Sequence, residues 1–294
     1  ARGRGDVYKR QALTETNGDM EAAIDWLRKK GLASAAKKAS RIAAEGLVAV
    51  AVDGNKGAVV EVNSETDFVA KNDMFQEYVA DAALVALMHN GEVCDMKTFQ
   101  CPKVHKSFEE RLTDLIAKIG ENMNLRRAAM LEVSNGVIAS YVHNACKPNL
   151  GKIGVLVALE SNGDKAKLQE LGKHIAMHVA ASNPQFLTIA DVDQASIDHE
   201  KAIFSEQAKA SGKPENIIEK MVEGRIKKYF DEVVLEEQAY IMDPDKKVKQ
   251  IVADAAKEMG ADIKLKAFVC FRLGEGLEKR NEDFAAEVAS QLKK

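Results

Sequence analysis

Hydrophobic residues fall into two rhythms along this chain. From Gly46 the run LVAVAVDG (47–54) is apolar and rich in β-branched residues, and it stops at Asp53-Gly54. Asn55-Lys56-Gly57 extends the turn and AVVEVN (58–63) returns, which is the signature of a β-hairpin. After Ser64-Glu65-Thr66-Asp67-Phe68 the period changes. Phe75, Val79, Ala82, Ala83 and Ala86 recur at spacings of three and four, which predicts a helix. A further helix is expected over 107–121, and LRRAAMLEVS (125–134) reads as a third strand.

The plan then repeats. GVIASYVH (136–143) and KIGVLVALES (152–161) predict a second hairpin, and LQELGKHIAMHVAAS (168–182) the matching helix. Phe75-Gln76-Glu77-Tyr78 lines up with Leu168-Gln169-Glu170-Leu171. The third strand of this copy arrives late, as IKLKAFVCFRLGEG (263–276). Two copies of a β-β-α-β unit imply internal duplication. The delay is a helical insertion: charged helical stretches over 193–210 and 216–230 flank SGKP (211–214), where Pro214 can open the second arm. Ile217, Ile218, Met221, Val222 and Ile226 give that arm an apolar stripe, so a protruding antiparallel helical hairpin is expected. The predicted class is α+β, with a duplicated core of small antiparallel sheets.

The ends differ from this core. Residues 1–10 show no apolar periodicity. Asn17-Gly18-Asp19 then signals a turn and cap, and Ala23, Ile24 and Leu27 share one helical face. Arg28, Lys29 and Lys30 fill a last turn before Gly31, which is expected as the C-cap. With a short helix ending at Ala12-Leu13, these look like the last two helices of a three-helix, UBA-like module. The Ala-rich, basic stretch 33–46 reads as a linker. Phe284, Val288 and Leu292 line a short C-terminal amphipathic helix. The expected partition is an N-terminal module (1–33), a linker (34–45), a first core half (46–135) and a second (136–183 with 231–275). The coiled-coil insertion (184–230) and a C-terminal helical module (276–294) complete it.

Composition narrows the chemistry. Of 294 residues, 46% are apolar and 30% charged, as in a folded globular chain. Aromatics are only 5%, so aliphatic side chains must carry the core. The formal net charge of −3 lacks the footprint of a nucleic-acid binder. No run of 18 apolar residues and no secretory signal is visible, so no membrane partner is expected. Cys94, Cys101, Cys146 and Cys270 are too scattered for a disulfide framework, and a reducing cytoplasm fits them best.

No phosphate-binding loop occurs, and Gly274-Glu275-Gly276 lacks the third glycine of a dinucleotide fingerprint. His174 and His178 stand four apart on one helix without a third ligand. Cys94, Cys101 and His105 fit no common zinc spacing. Packing is the better account of both groups. No nucleophile elbow is present, and Arg4-Gly5-Asp6 is a chance tripeptide in such a chain. No enzyme activity, metal or cofactor is expected.

Thr66-Asp67-Phe68-Val69 stands out at the strand-to-helix corner. On pattern alone, Thr66 and Asp67 form a helix cap with Phe68 tucked into the core. The competing reading is an exposed acid and aromatic on a rigid corner, able to wedge into a partner. Together with ALTETNGDMEAAIDWLRKKG, EVNSETDFVAKNDMF, KIGENMNLRRA, HIAMHVAAS, SGKPENIIEKMVEGRIKKYF and DFAAEVA, in this order, the segment resembles the elongation factor Ts family. The resemblance covers essentially everything from residue 12 onward.

That resemblance implies a non-enzymatic guanine-nucleotide exchange factor whose partner is the GTPase elongation factor Tu. Asp67 and Phe68, with Thr66 and Val69, match the tip that intrudes beside the partner's magnesium site. Ile119 and Gly120 match a second contact and His143 a third, while Phe284 and Val288 add binding area at the C-terminus. Family members begin with an additional helix and a Gly-rich turn, so residues 1–11 look atypical and the N-terminal module incomplete. The helical insertion favours a bacterial over a mitochondrial member. Some members pair through core or hairpin surfaces, which leaves a homodimer or a 2:2 complex open.

Overall fold

The computed structural model describes residues 10–101, 105–209 and 214–278. After helical backbone at 10–15 come α1 (Met20–Ala36), β1 (Glu45–Asp53), β2 (Lys56–Ser64) and α2 (Asp73–Met88). Next are α3 (Val93–Thr98), β3 (Gln100–Cys101), β4 (Lys106–Ser107), α4 (Phe108–Ile119) and β5 (Met123–Glu132). The second half holds β6 (Gly136–His143), β7 (Leu150–Gly151), β8 (Ile153–Ser161) and α5 (Lys165–Ser182). It continues with α6 (Gln194–Lys209), α7 (Glu215–Val233), β9 (Ala239–Tyr240), β10 (Asp243–Lys247), α8 (Val248–Met259) and β11 (Ile263–Arg272).

Two antiparallel sheets carry this α+β fold. The first has the order β5-β2-β1-β7 and the second β11-β8-β6. In each, the second strand of a hairpin is central and a late strand closes the far side. The β1–β2 register runs from Glu45↔Ser64 to Asp53↔Lys56. β6 and β8 pair from Gly136↔Glu160 to His143↔Ile153.

Alternation along the strands explains the unbroken apolar runs. Leu47, Ala49, Ala51, Val60 and Val62 face α2 and its Phe75, Val79 and Ala82. The other face of the same hairpin, Val48, Val50 and Val59, meets Ile138, Leu156 and Ala158 of the second sheet. Val137, Val155, Val157 and Leu159 then pack under Leu168, Ile175 and Val179 of α5. Each hairpin is thus covered on both faces, in a helix–sheet–sheet–helix stack. Gly154 marks the sheet-to-sheet contact: a Cβ there would stand 3.1 Å from Val59 and 3.2 Å from Val50.

The helices α6 and α7 lie against each other, with Arg225 5.9 Å above the Phe204 ring. Residues 210–213, where the break at SGKP is expected, and the expected C-terminal helix with Phe284 and Val288 lie outside the described residues. So do residues 1–9 of the atypical N-terminal string.

One expectation needs correction. Gly31 does not cap a helix; α1 continues through it to Ala36. The following Ala33, Ala35 and Ala36 are strong helix formers and outweigh a single glycine. A Cβ on Gly31 would lie 3.9 Å from Ala117 and Thr113, where α1 rests on α4.

A braced exposed tip as the candidate functional site

β2 runs out at Ser64, and the chain turns through residues 65–68 into a 3-10 turn (Val69–Lys71) before α2. Asn72 caps α2, its Oδ1 accepting from the N–H groups of Met74 and Phe75 at 3.0 and 3.3 Å. Because that position is taken, Thr66 is not the cap that pattern alone suggested. Its N–H and hydroxyl donate to the two carboxylate oxygens of Glu121, at 2.9 and 2.7 Å. In return, the N–H of Asn122 donates to Glu65 Oε1 at 2.6 Å. Two adjacent polar residues on each side thus exchange hydrogen bonds across the gap between β2 and the end of α4.

Phe68 is not tucked into the core either: it is 74% exposed, while Val69 and Ala70 are buried. Side chains of a 3-10 turn point about 120° apart, so once Val69 and Ala70 face inward Phe68 must face out. Val69, expected among the contacts, acts as the anchor beneath the tip. Gln76 holds the turn from below, its Nε2 donating to Ala70 O at 2.7 Å. Lys71 Nζ stands 5.7 Å from the Phe68 ring centre. Asp67 is exposed beside Phe68. Leaving a Phe in water forgoes about 1.5–3 kcal/mol of burial. The exposed aromatic is thus held on a braced corner, with its ring facing solvent.

Ile119 and Gly120 reach the same corner. Gly120 closes α4 in the left-handed region, at φ 93°, donating to Ile116 O at 2.9 Å. Glu121 follows directly, so the Thr66–Glu121 bonds bring Ile119–Gly120 beside the tip. Ile119 is half-buried against the first core.

His143 ends β6, exposed, with Nδ1 3.1 Å from the Tyr141 hydroxyl. The loop after it is tied to the start of α2 by Lys147 and Asp73, 2.8 Å apart. That ammonium holds the Asp73 carboxyl below its ordinary pKa by hydrogen bond and charge. Lys152 reaches Glu45 Oε2 at 3.3 Å and Gly46 O at 3.4 Å. Glu45 pairs with Ser64, so this loop and the tip leave the same end of the first sheet.

Glu65, Glu121, Asn122, Asp73 and Lys147 carry this geometry, and sequence reasoning did not single them out. Their signal was present as acid–polar pairs, Glu65-Thr66 and Glu121-Asn122, each next to an element end.

Two buried polar nodes support the scaffold. Glu61, fully buried, accepts from Arg126 (3.0 Å), Arg127 (2.6 Å), Asn63 (2.9 Å) and the Gly274 N–H (2.8 Å). Burial alone would raise its pKa. The Gly274, Asn63 and Arg127 hydrogen bonds and the Arg127 charge outweigh that and hold it low.

His178 is also fully buried. Its Nδ1 accepts from the Ile241 N–H at 3.3 Å, which leaves Nε2–H to donate to Gln238 Oε1 at 2.8 Å. Both ring nitrogens are satisfied by protein groups. Among the described residues, no three His, Cys, Asp or Glu side chains gather in an arrangement that could hold a metal. Among them, too, no helix is long and apolar enough to cross a membrane.

Fold and site together define a class: an α+β protein that presents a braced, exposed aromatic tip. The family model described as Elongation factor TS matches residues 65–275. A relative from Paramagnetospirillum magneticum named Elongation factor Ts is 58% identical over 289 residues, 98% of this chain and 93% of its own length. Another of that name from Rhodospirillum rubrum is 57% identical, covering 99% of this chain and 95% of its own. A third, from Sinorhizobium medicae, is 54% identical over 291 residues. The chain belongs to the elongation factor Ts family, whose members serve protein synthesis.

Proposed function

We propose that this chain is a guanine-nucleotide exchange factor for elongation factor Tu. The observation that carries the reading is the exposure of Phe68, at 74%, on a corner fixed by Glu65, Glu121 and Asn122. Phe68 and Asp67 intrude beside the partner's magnesium and phosphate site. Ile119, Gly120 and His143 supply flanking contacts, with Thr66 and Val69 holding the tip.

The physics is a linked equilibrium. A wedge that fits only the distorted GTPase site weakens magnesium and GDP binding, and nucleotide weakens the wedge by the same factor. A hundredfold loss of GDP affinity needs about 2.7 kcal/mol of coupling, which is the scale of one buried Phe. The exchange factor needs neither a nucleotide site nor a reaction of its own, and it works in the cytoplasm.

In this reading the chain is organised as the sequence divides it. It comprises a UBA-like N-terminal module, two core halves, an antiparallel coiled-coil insertion over 184–230 and a C-terminal helical module, of which the N-terminal module, the second core half and the C-terminal helix add binding area. The direct test loads elongation factor Tu with fluorescent GDP, chases with unlabelled nucleotide and follows release by stopped flow. The expected result is faster release in the presence of this protein. Unchanged release with a folded sample would refute the reading.

A further inference from the structure

Asn122 sits where three separate segments meet. Its backbone N–H donates to Glu65 Oε1 at 2.6 Å, at the root of the tip. Its side-chain amide donates to Arg41 O at 2.8 Å and to Ala39 O at 3.5 Å. Those two carbonyls belong to the turn that follows α1. Arg41 also reaches back, Nη1 standing 3.4 Å from the same Glu65 oxygen.

The next residue upstream, Glu121, holds Thr66. Asn122 therefore ties the post-α1 segment, the end of α4 and the tip into one node. The helix α1 reinforces the arrangement from its other side, because it packs on α4, where Arg28 pairs with Glu110.

We propose that Asn122 is a positioning residue for exchange, locking the tip to the segment that leads in from the N-terminal helices. The proposal rests on the exchange reading. An amide is suited to this node because it offers two N–H donors to two carbonyls. An aspartate of the same shape would turn oxygens toward those carbonyls and add a negative charge beside Glu65. Loosening the node lets the tip sample more positions. That penalises the strained state, in which the wedge must be in place, more than first encounter with the partner. Asn122 itself touches neither nucleotide nor metal.

The test uses the full chain with three substitutions, Asn122→Asp, Asn122→Ala and Arg41→Ala. Nucleotide release from elongation factor Tu is measured across a range of exchange-factor concentrations. The maximal acceleration should fall about tenfold in Asn122→Asp, with the half-saturating concentration changed less than twofold. Arg41→Ala keeps the carbonyl that Asn122 uses and loses only the 3.4 Å contact with Glu65, so its maximal acceleration should fall less than that of Asn122→Asp. Asn122→Ala removes the two side-chain bonds without repulsion, keeps the backbone bond to Glu65, and serves if the aspartate form does not fold.

Amide hydrogen exchange at residues 65–68 in the free protein gives a second readout, independent of the exchange reading. It should speed up at the tip in the Asn122 variants while the β8 amides stay protected. Wild-type maximal acceleration together with unchanged tip exchange in both Asn122 variants would overturn the proposal. A wild-type protein that fails to accelerate release refutes the exchange reading instead, and the tip-exchange measurement still decides whether Asn122 positions the tip.

Discussion

Glu121 binds Thr66 twice, accepting from its N–H at 2.9 Å and from its hydroxyl at 2.7 Å, across a sequence separation of 55. The carboxylate belongs to the turn after α4 and the threonine to the turn after β2. A loop that would otherwise pivot about Ser64 is fixed at both ends, by Glu121 on one side and by buried Val69 and Ala70 on the other.

Thr66→Val keeps the shape of the side chain and removes one donor. Glu121 keeps the backbone bond and loses the hydroxyl. A hydrogen bond to a charged group contributes about 1.5–3 kcal/mol, so the tip should exchange amide hydrogens faster and the melting temperature should fall by a few degrees. Hydrogen exchange at residues 65–68 checks this. A Thr66→Ser variant retains the hydroxyl and should stay near wild type.

Glu61→Gln strikes the scaffold. It removes the buried carboxylate that the half-buried Arg126 and Arg127 share, while Arg127 keeps Glu275 at 3.3 Å. Loss of the charged hydrogen bonds at this node costs about 1.5–3 kcal/mol. Equilibrium denaturation should show a lower midpoint with an unchanged slope. The pH dependence follows from the lowered folded pKa of Glu61. Its contribution is present above the unfolded pKa and fades as pH falls through the folded one. In acid, therefore, wild type and Glu61→Gln should converge in stability.

His178 is lowered, first by burial, with the Gln238 hydrogen bond acting against it. The folded state therefore resists the proton that the unfolded state takes up near pH ~6.5. Stability is full above that value and falls as pH drops through it toward the folded pKa. His178→Phe removes this titration and leaves Gln238 Oε1 and the Ile241 N–H unpaired, at about 1–3 kcal/mol for each. Denaturation from pH 7.5 to 5.5, with ~0.5-unit steps, should show a stability slope in wild type that the variant lacks. Equal slopes would contradict the assignment of the neutral ring.

Much of the fold was legible because both sheets declare themselves locally. Asp53-Gly54 breaks the first hairpin, and the run from Leu47 to Val52 is apolar on alternate faces that both find partners. Gly31 was misleading because propensity ranks it as a stop. Its neighbours do not demand glycine, since a Cβ there would meet Ala117 and Thr113 of α4 only at an ordinary contact distance of 3.9 Å, and the alanines after it carry α1 onward. The tip was half legible. The residues Thr66 to Phe68 stood out, yet cap chemistry and a buried Phe fitted the local pattern as well as an exposed one. What decides between them is Asn72 taking the cap and Glu121 taking Thr66. The second of these is a long-range bond that periodicity cannot show.

Phe68→Ala tests the central claim most directly. The side chain is exposed, so the substitution should change global stability by no more than about 0.5 kcal/mol. With elongation factor Tu loaded with fluorescent GDP, wild type should accelerate release at saturating concentration. Phe68→Ala should lower that acceleration roughly ten- to a hundredfold, the equivalent of one lost aromatic burial. Full acceleration by a folded Phe68→Ala protein would contradict the wedge.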